Sequence, residues 1–425
     1  MATLLITVPA VTSHILPMLP TAEALVKRGH RVLVHTAQHH FDKVQAAGAE
    51  LIPMPEHCDI VYRLENSSVR VPSWLPKFLS QVWYFRNEVL AMIPVMVAEL
   101  ETIIKREQVD CLIGDYLGFG ASYAAERLCI PYVTLTMSWA LTPNADAIPL
   151  FLSLPLPSRA VHAIADFIFP LRRIRNQIGL PQRPKNTPAE FFAVIVSNLL
   201  NLVTIHQEFI PPKQLQKNQV FIGPTAFETP RTNDNQPFGA SLAPGTVLVS
   251  STTSPKSDDG LFRRLVESLA QTGIPILALS GSATDIPSGL GENVRLEKFV
   301  PFDEVLPYVS AIVTSGGFGT VGRAFRIGIP MLIIPDLEGD TLFTAIRAEE
   351  LGLAYHLPKS KTTPKVIQSK LKALLEDHAL HARLKDLSLK LRLMNAPELA
   401  ANAIEDILQN SQTTKKVLRA TYTMP

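Results

Sequence analysis

Residues 311–328 read AIVTSGGFGTVGRAFRIG. A short apolar run feeds a glycine pair, and GTVGRAFRIG then follows with helical spacing. Strand, glycine turn and helix start form the arrangement in which a phosphate rests on free backbone N–H groups at a helix N-terminus. No lysine or histidine stands at this turn to meet an anion; Ser315 holds its first position.

The same grammar extends outward on both sides. Upstream, TVLVSS (246–251) is a strand, DDGLFRRLVESLAQTG a helix, and IPILALS and VRLEKFV are further strands; downstream, MLIIP (331–335) precedes the helix TLFTAIRAEELG. A second run occupies the first half of the chain. LLITV (4–8), RVLVHT (31–36), AELIP, DCLIGD (110–115) and YVTLT (132–136) are its strands, with MLPTAEALVKRG (18–29), FDKVQAAG (41–48), VMVAELETIIKREQ and GFGASYAAERLC as helices. Continuous apolar strands alternating with helices predict parallel sheets covered on both faces. Between the runs, FIGPTAFETPRTNDNQPFGASLAPG (221–245) is a linker by composition. The expected architecture is α/β, two doubly wound Rossmann-like domains facing a central cleft. The expected boundaries are 1–223, a linker 224–245, 246–393, and a C-terminal helix and tail, 394–425, that returns to the N-terminal domain.

Composition narrows the function classes. With 425 residues, 47% hydrophobic and 18% charged, the chain is long enough for two or three domains with real cores. A net charge of +2 argues against a general nucleic-acid binder. Cys58, Cys111 and Cys129 are too scattered for a disulfide framework or a zinc site, and no metal or cofactor is expected. The opening MATLLITVPAV lacks a basic leader region and reads as a buried strand; AIPLFLSLPLPS (147–158) carries three prolines and is too short to span a membrane. A cytoplasmic protein fits this pattern best.

In an open parallel sheet, ligands bind beyond the carboxyl ends of the strands where strand order reverses. His14 follows the first strand and Asp115 closes the fourth, so the two are expected to meet at one sheet edge. A carboxylate beside an imidazole fixes its tautomer and stabilises its protonated form, which suits a general base acting on a hydroxyl. Position alone leaves open a second reading, a helix cap and a strand-end turn residue. His30, His39 and His40 read as surface residues.

Three loops are expected at the matching edge of the second sheet. SSTTS (250–254) offers hydroxyls, including Ser250 and Thr253, to phosphate oxygens; FVPF (299–302) offers Phe299 as a stacking surface for a base. The turn itself (Ser315, Gly316, Gly317, Gly319, Thr320) is followed by PDLEGDT (335–341), where Asp340 could bind sugar-like hydroxyls. Each of these also has a purely structural explanation in capping, core packing or a tight turn.

At these residues the chain resembles a glycosyltransferase of family 1, the group containing the plant, macrolide and bacterial UDP-glycosyltransferases. The likeness covers most of the chain and is strongest in SHILPMLPTAEALVKRGHRVLVHT, IRNQIGLP, IGP before the linker, and TSGGFGTVGRAFRIGIPMLIIPDLEGD followed by AEELGLA. The resemblance implies the GT-B fold, a nucleotide-sugar donor held by the C-terminal domain, an acceptor held by the N-terminal one, and metal-independent inversion. It matches His14 to the catalytic base and Asp115 to its orienting carboxylate. On the donor side the chain departs from the family pattern. Ser315 replaces a histidine, Arg323 a glutamate, Thr341 the glutamine after Asp340, Thr344 an asparagine, and Thr252 a glycine. FVPF is closer to relatives that use deoxythymidine diphosphate sugars, so a UDP- or dTDP-sugar is the expected donor. Arg323 could replace lost polar contacts with a cation near the phosphates or ribose. The departures also admit a GT-B enzyme that has dropped the donor and uses His14–Asp115 for cyclisation or isomerisation, or a non-catalytic helper.

The expected acceptor region is apolar. WLPKFLSQVWYF (74–85) and AIPLFLSLPLPSRAVHAIADFIFPLRRIR (147–175) supply Trp83 and Phe151, and Trp139 lies just ahead of the second segment, which suits a hydrophobic small molecule. The second segment ends in Arg172, Arg173 and Arg175, a basic cluster that would also suit peripheral contact with an anionic membrane.

Overall fold

The computed structural model describes residues 1–71, 80, 83–136, 169–182, 194–212, 215–227, 237–250, 259–281, 283, 285–335 and 340–410, without the side chains of Asp259 and Asp340. The chain divides into two compact units, one of Met1–Thr204, Ile210–Ile222 and Ala396–Pro425, the other of Ile205–Phe209 and Gly223–Asn395.

The N-terminal unit is built on a sheet of seven described strands. They are β1 (Thr3–Thr7), β2 (Arg31–Thr36), β3 (Glu50–Pro53), β4 (Cys111–Asp115), β5 (Tyr132–Thr136), β6 (Leu200–Val203) and β7 (Gln219–Phe221). Their order is β3-β2-β1-β4-β5-β6-β7, with every neighbouring pair parallel. β4 and β5 are buried along their whole length, because helices cover both faces and leave no position for a polar alternation. Strand order reverses between β1 and β4, where Thr7 lies opposite Gly114. β6 and β7 extend the sheet beyond the five strands readable from the sequence.

The helix after β1 runs from Thr12 to Lys27. It begins earlier than its sequence pattern implies, since Pro17 and Pro20, each lacking an N–H, lie inside it and are buried. His14 is therefore in its first turn rather than ahead of it. Helix Ala396–Gln409 packs against this helix by burying Ala400, Ala401 and Ile404. At its rim Arg28 donates to Glu398 and Glu405, and His30 Nε2 lies 3.0 Å from Glu405. Partly exposed pairs of this kind contribute at most about 1 kcal/mol each, whereas burying one isoleucine contributes ~1.5–3 kcal/mol. The apolar face holds the helix and the charges set its register.

The C-terminal unit repeats the plan with β8 (Val247–Ser250), β9 (Ile276–Leu279), β10 (Val294–Glu297), β11 (Ala311–Thr314), β12 (Met331–Ile333) and β13 (Tyr355–His356). The described order is β10-β9-β8-β11-β12-β13, again parallel. The reversal falls between β8 and β11, with Ser250 opposite Thr314. Helix Phe318–Ile327 leaves β11 and stops at Gly328 (φ +89°), whose N–H bonds the Ala324 carbonyl at 2.8 Å. Among the described residues no helix is long and apolar enough to cross a membrane.

Candidate active site

Both sheets place polar side chains at their reversal points. In the N-terminal unit, His14 Nδ1 lies 3.0 Å from each oxygen of the Asp115 carboxylate. Asp115 is fully buried and the His14 side chain is only 12% exposed, so water competes little for this bond. The carboxylate is fixed from the other side by the Leu117 N–H, which donates to Oδ1 at 2.7 Å. The following turn closes tightly: Gly118 N–H bonds the Asp115 carbonyl at 2.8 Å, and a Cβ at position 118 would meet that oxygen at 2.9 Å. A carboxylate accepting from Nδ1–H leaves the lone pair of the neutral ring on Nε2, the arrangement of a base whose charged form is stabilised from behind. The two residues expected to meet are thus in contact, and Asp115 serves at the same time as the strand-end turn residue through its bond to the Leu117 N–H.

The glycine-rich turn separates its glycines by role. Gly316 has φ +93°, and a Cβ there would lie 2.7 Å from the Ile333 side chain, so the fold itself demands glycine. Gly317 has an ordinary φ of −57° at the N-cap of helix Phe318–Ile327. Gly319 lies within the first turn of that helix. A Cβ on either would meet nothing within 4 Å among the described residues. Neither the backbone nor packing against the described residues requires glycine at these two positions, but close approach of a ligand to the helix N-terminus would. Ser315 and Thr320 flank the turn half-buried, as does Thr341, whose carbonyl would lie 3.3 Å from a Cβ on Gly316. Ser250 ends the neighbouring strand β8. Phe299 is 66% exposed, as a stacking platform must be. Arg323 is less available: its Nε lies 3.8 Å from Asp303, and its guanidinium sits 5.7 Å from the Phe302 ring centroid.

Other expectations are corrected or fall outside the described residues. Thr253, Trp139 and Phe151 lie outside them; Asp340 opens a helix, with its side chain outside them. Trp83 is half-buried just before the π-helical turn Phe85–Val89. The basic cluster at 172–175 does not exist as a surface. Arg172 and Arg173 are exposed, but Arg175 is 1% exposed. Its guanidinium makes a bidentate pair with buried Glu126, at 2.9 and 2.7 Å, and also donates to the Pro181 carbonyl. IRNQIGLP is therefore an internal clamp, arginine and proline carbonyl on one segment and glutamate on helix Ala121–Leu128. His40, expected at the surface, is 1% exposed, and burial lowers its pKa to about 4.

The geometry agrees with what the chain is similar to. The family model for the erythromycin biosynthesis protein CIII-like C-terminal domain matches residues 264–405, which include the glycine turn. The 4'-demethylrebeccamycin synthase of Lentzea aerocolonigenes is 26% identical over 396 residues, covering 88% of this chain and 92% of that one. The NDP-glycosyltransferase YjiC of Bacillus subtilis (strain 168) is 24% identical over 421 residues, covering 96% and 97%. The chain is a glycosyltransferase, similar to family 1 enzymes of the macrolide type. Its fold is GT-B, shared with the solved glycosyltransferase VinC in complex with DTDP at a TM-score of 0.67 and 21% identity, covering 96% of this chain and 100% of that one.

For this glycosyltransferase, sequence reasoning found the His14–Asp115 contact and the turn but missed the groups packed around them. Leu117 acts through its backbone N–H, which carries no side-chain signal. Tyr116, whose ring centroid is 5.2 Å from the His14 ring, carried one readable signal, its place directly after a candidate catalytic carboxylate.

Proposed function

We propose that this glycosyltransferase moves a sugar from a nucleoside diphosphate to a hydroxyl of an apolar small-molecule acceptor in one inverting displacement. His14 Nε2 removes the acceptor hydroxyl proton as that oxygen attacks the anomeric carbon. The bond from that carbon to the diphosphate breaks, and the diphosphate leaves with the electron pair. Asp115 stabilises the imidazolium that forms. The N–H groups around Gly317 and Gly319, with the Ser315 hydroxyl, receive the charge developing on the leaving diphosphate. The observation that carries the reading is the buried His14–Asp115 pair at the β1/β4 reversal. Support for a dTDP- or UDP-sugar comes from the exposed Phe299, the open Cβ directions at the turn, and VinC, solved with DTDP.

Calorimetric titration with dTDP, UDP and GDP tests the donor side, and release of nucleotide from dTDP-glucose or UDP-glucose with 4-methylumbelliferone as acceptor tests the chemistry. The expected result is nucleotide binding by wild type and by His14→Ala alike, with turnover lost in the variant by at least about 100-fold. Absence of binding to all three nucleotides at millimolar concentration refutes the sugar-nucleotide donor. Full turnover by His14→Ala refutes the base.

A further inference from the structure

The Asp115 carboxylate leaves one degree of freedom of the base undetermined. His14 Nδ1 is equidistant, at 3.0 Å, from both carboxylate oxygens. A bond shared in this way tolerates rocking of the imidazole about the line joining the two groups. Such rocking swings the direction in which Nε2 presents its lone pair. Something else has to define the plane of the imidazole. The group in place is Tyr116: its ring centroid lies 5.2 Å from that of His14 with the planes inclined at 46°, within the range where aromatic rings pack against each other.

Tyr116 is itself held by the turn that holds the carboxylate. It sits between Asp115, whose Oδ1 accepts from Leu117 N–H at 2.7 Å, and Gly118, whose N–H closes on the Asp115 carbonyl at 2.8 Å. A Cβ at position 118 would meet that carbonyl at 2.9 Å, so the turn requires glycine there. One short rigid segment thus presents both a carboxylate to the edge of the imidazole and an aromatic ring to its side. We propose that Tyr116 is a positioning residue for the transfer reaction, setting the plane of the His14 ring and stabilising the imidazolium formed as the acceptor proton is taken. The inference rests on His14 being the base. A π-system near a forming cation favours the charged state, so the ring both aims the base and raises its proton affinity.

The test compares Tyr116→Phe, Tyr116→Leu and Tyr116→Ala in the full chain, using nucleotide release from the dTDP- or UDP-sugar that wild type turns over. Phe keeps the ring and is expected to retain kcat within about twofold. Leu and Ala are expected to lose kcat about threefold to tenfold, with KM for the donor changed less than about twofold. In both, the acidic limb of the kcat/KM profile moves to lower pH by about half a unit, because the free base loses stabilisation of its protonated form. A residue that merely filled space would not move that limb. Leu nearly preserves the volume, so it answers the question should the Ala variant fold poorly. Equal kcat in wild type and Leu overturns the proposal, as does a reduced kcat with an unmoved acidic limb. Activity surviving in His14→Ala would instead overturn the underlying base assignment, a result the Tyr116 series cannot produce.

Discussion

Acid should destabilise the N-terminal unit well before its carboxylates are protonated, and His35 is one of two buried histidines, with His40, that contribute to the effect. His35 lies on β2 with no exposed surface, its Nδ1 3.1 Å from the Thr7 hydroxyl, and its buried Nε2 has no hydrogen-bond partner among the described residues. Burial lowers its pKa from 6.5 to about 4. The unfolded chain therefore takes up a proton near pH 6.5 that the folded chain refuses until about pH 4. Stability from the neutral ring is complete above 6.5 and is lost as pH falls through that window. A displacement of about 2.5 units corresponds to about 3 kcal/mol in total, of which about 2 kcal/mol is already gone at pH 5. For a domain stable by ~5–15 kcal/mol this is a large share. All three tryptophans (74, 83 and 139) fall within Met1–Thr204, so intrinsic fluorescence during urea unfolding reports this unit separately from the other. The expected outcome is a fall of at least about 2 kcal/mol between pH 7 and pH 5, reduced by about that amount in His35→Gln. A pH dependence equally steep in His35→Gln would refute the assignment, and no fall in wild type would refute the buried neutral state itself.

Two further outcomes follow from the same structure. Glu126→Ala should cost about 3–5 kcal/mol in the fluorescence-detected unfolding of the N-terminal unit, because it leaves the Arg175 guanidinium buried without its charge partner; a loss below about 1 kcal/mol would show that Arg175 finds water. Gly317→Ala should leave the thermal midpoint within about 2 °C of wild type, since its Cβ meets no atom of the described residues. Calorimetry should nonetheless show dTDP or UDP binding weakened about tenfold or more if the diphosphate sits against that backbone, and unchanged affinity would move the phosphates elsewhere.

The parts of this molecule legible in its sequence are those where one strand or one turn decides the outcome alone. β1, β4, β8 and β11 announce themselves by apolar runs, and the residues that close them, His14 after β1, Asp115 on β4 and Ser315 after β11, can be assigned to a sheet edge without any structure. β6 and β7 stay hidden because polar residues interrupt their short apolar runs, Asn201 within LNLV and Gln219 at the start of QVF. Arg175 and His40 are misread for a different reason. Their chemistry says surface, and only the tertiary partner reverses it: Glu126, 49 residues away, satisfies the guanidinium, whereas His40 is buried at the cost of a depressed pKa. The glycine turn shows the limit most sharply. Gly316, Gly317 and Gly319 look alike in the string SGGFG, yet one is glycine because Ile333 and a left-handed φ exclude everything else, and the other two have no atom among the described residues to explain them. What the protein itself does not explain is where a ligand is to be sought. The unexplained pair, more than the missing histidine at position 315, marks where the diphosphate would lie.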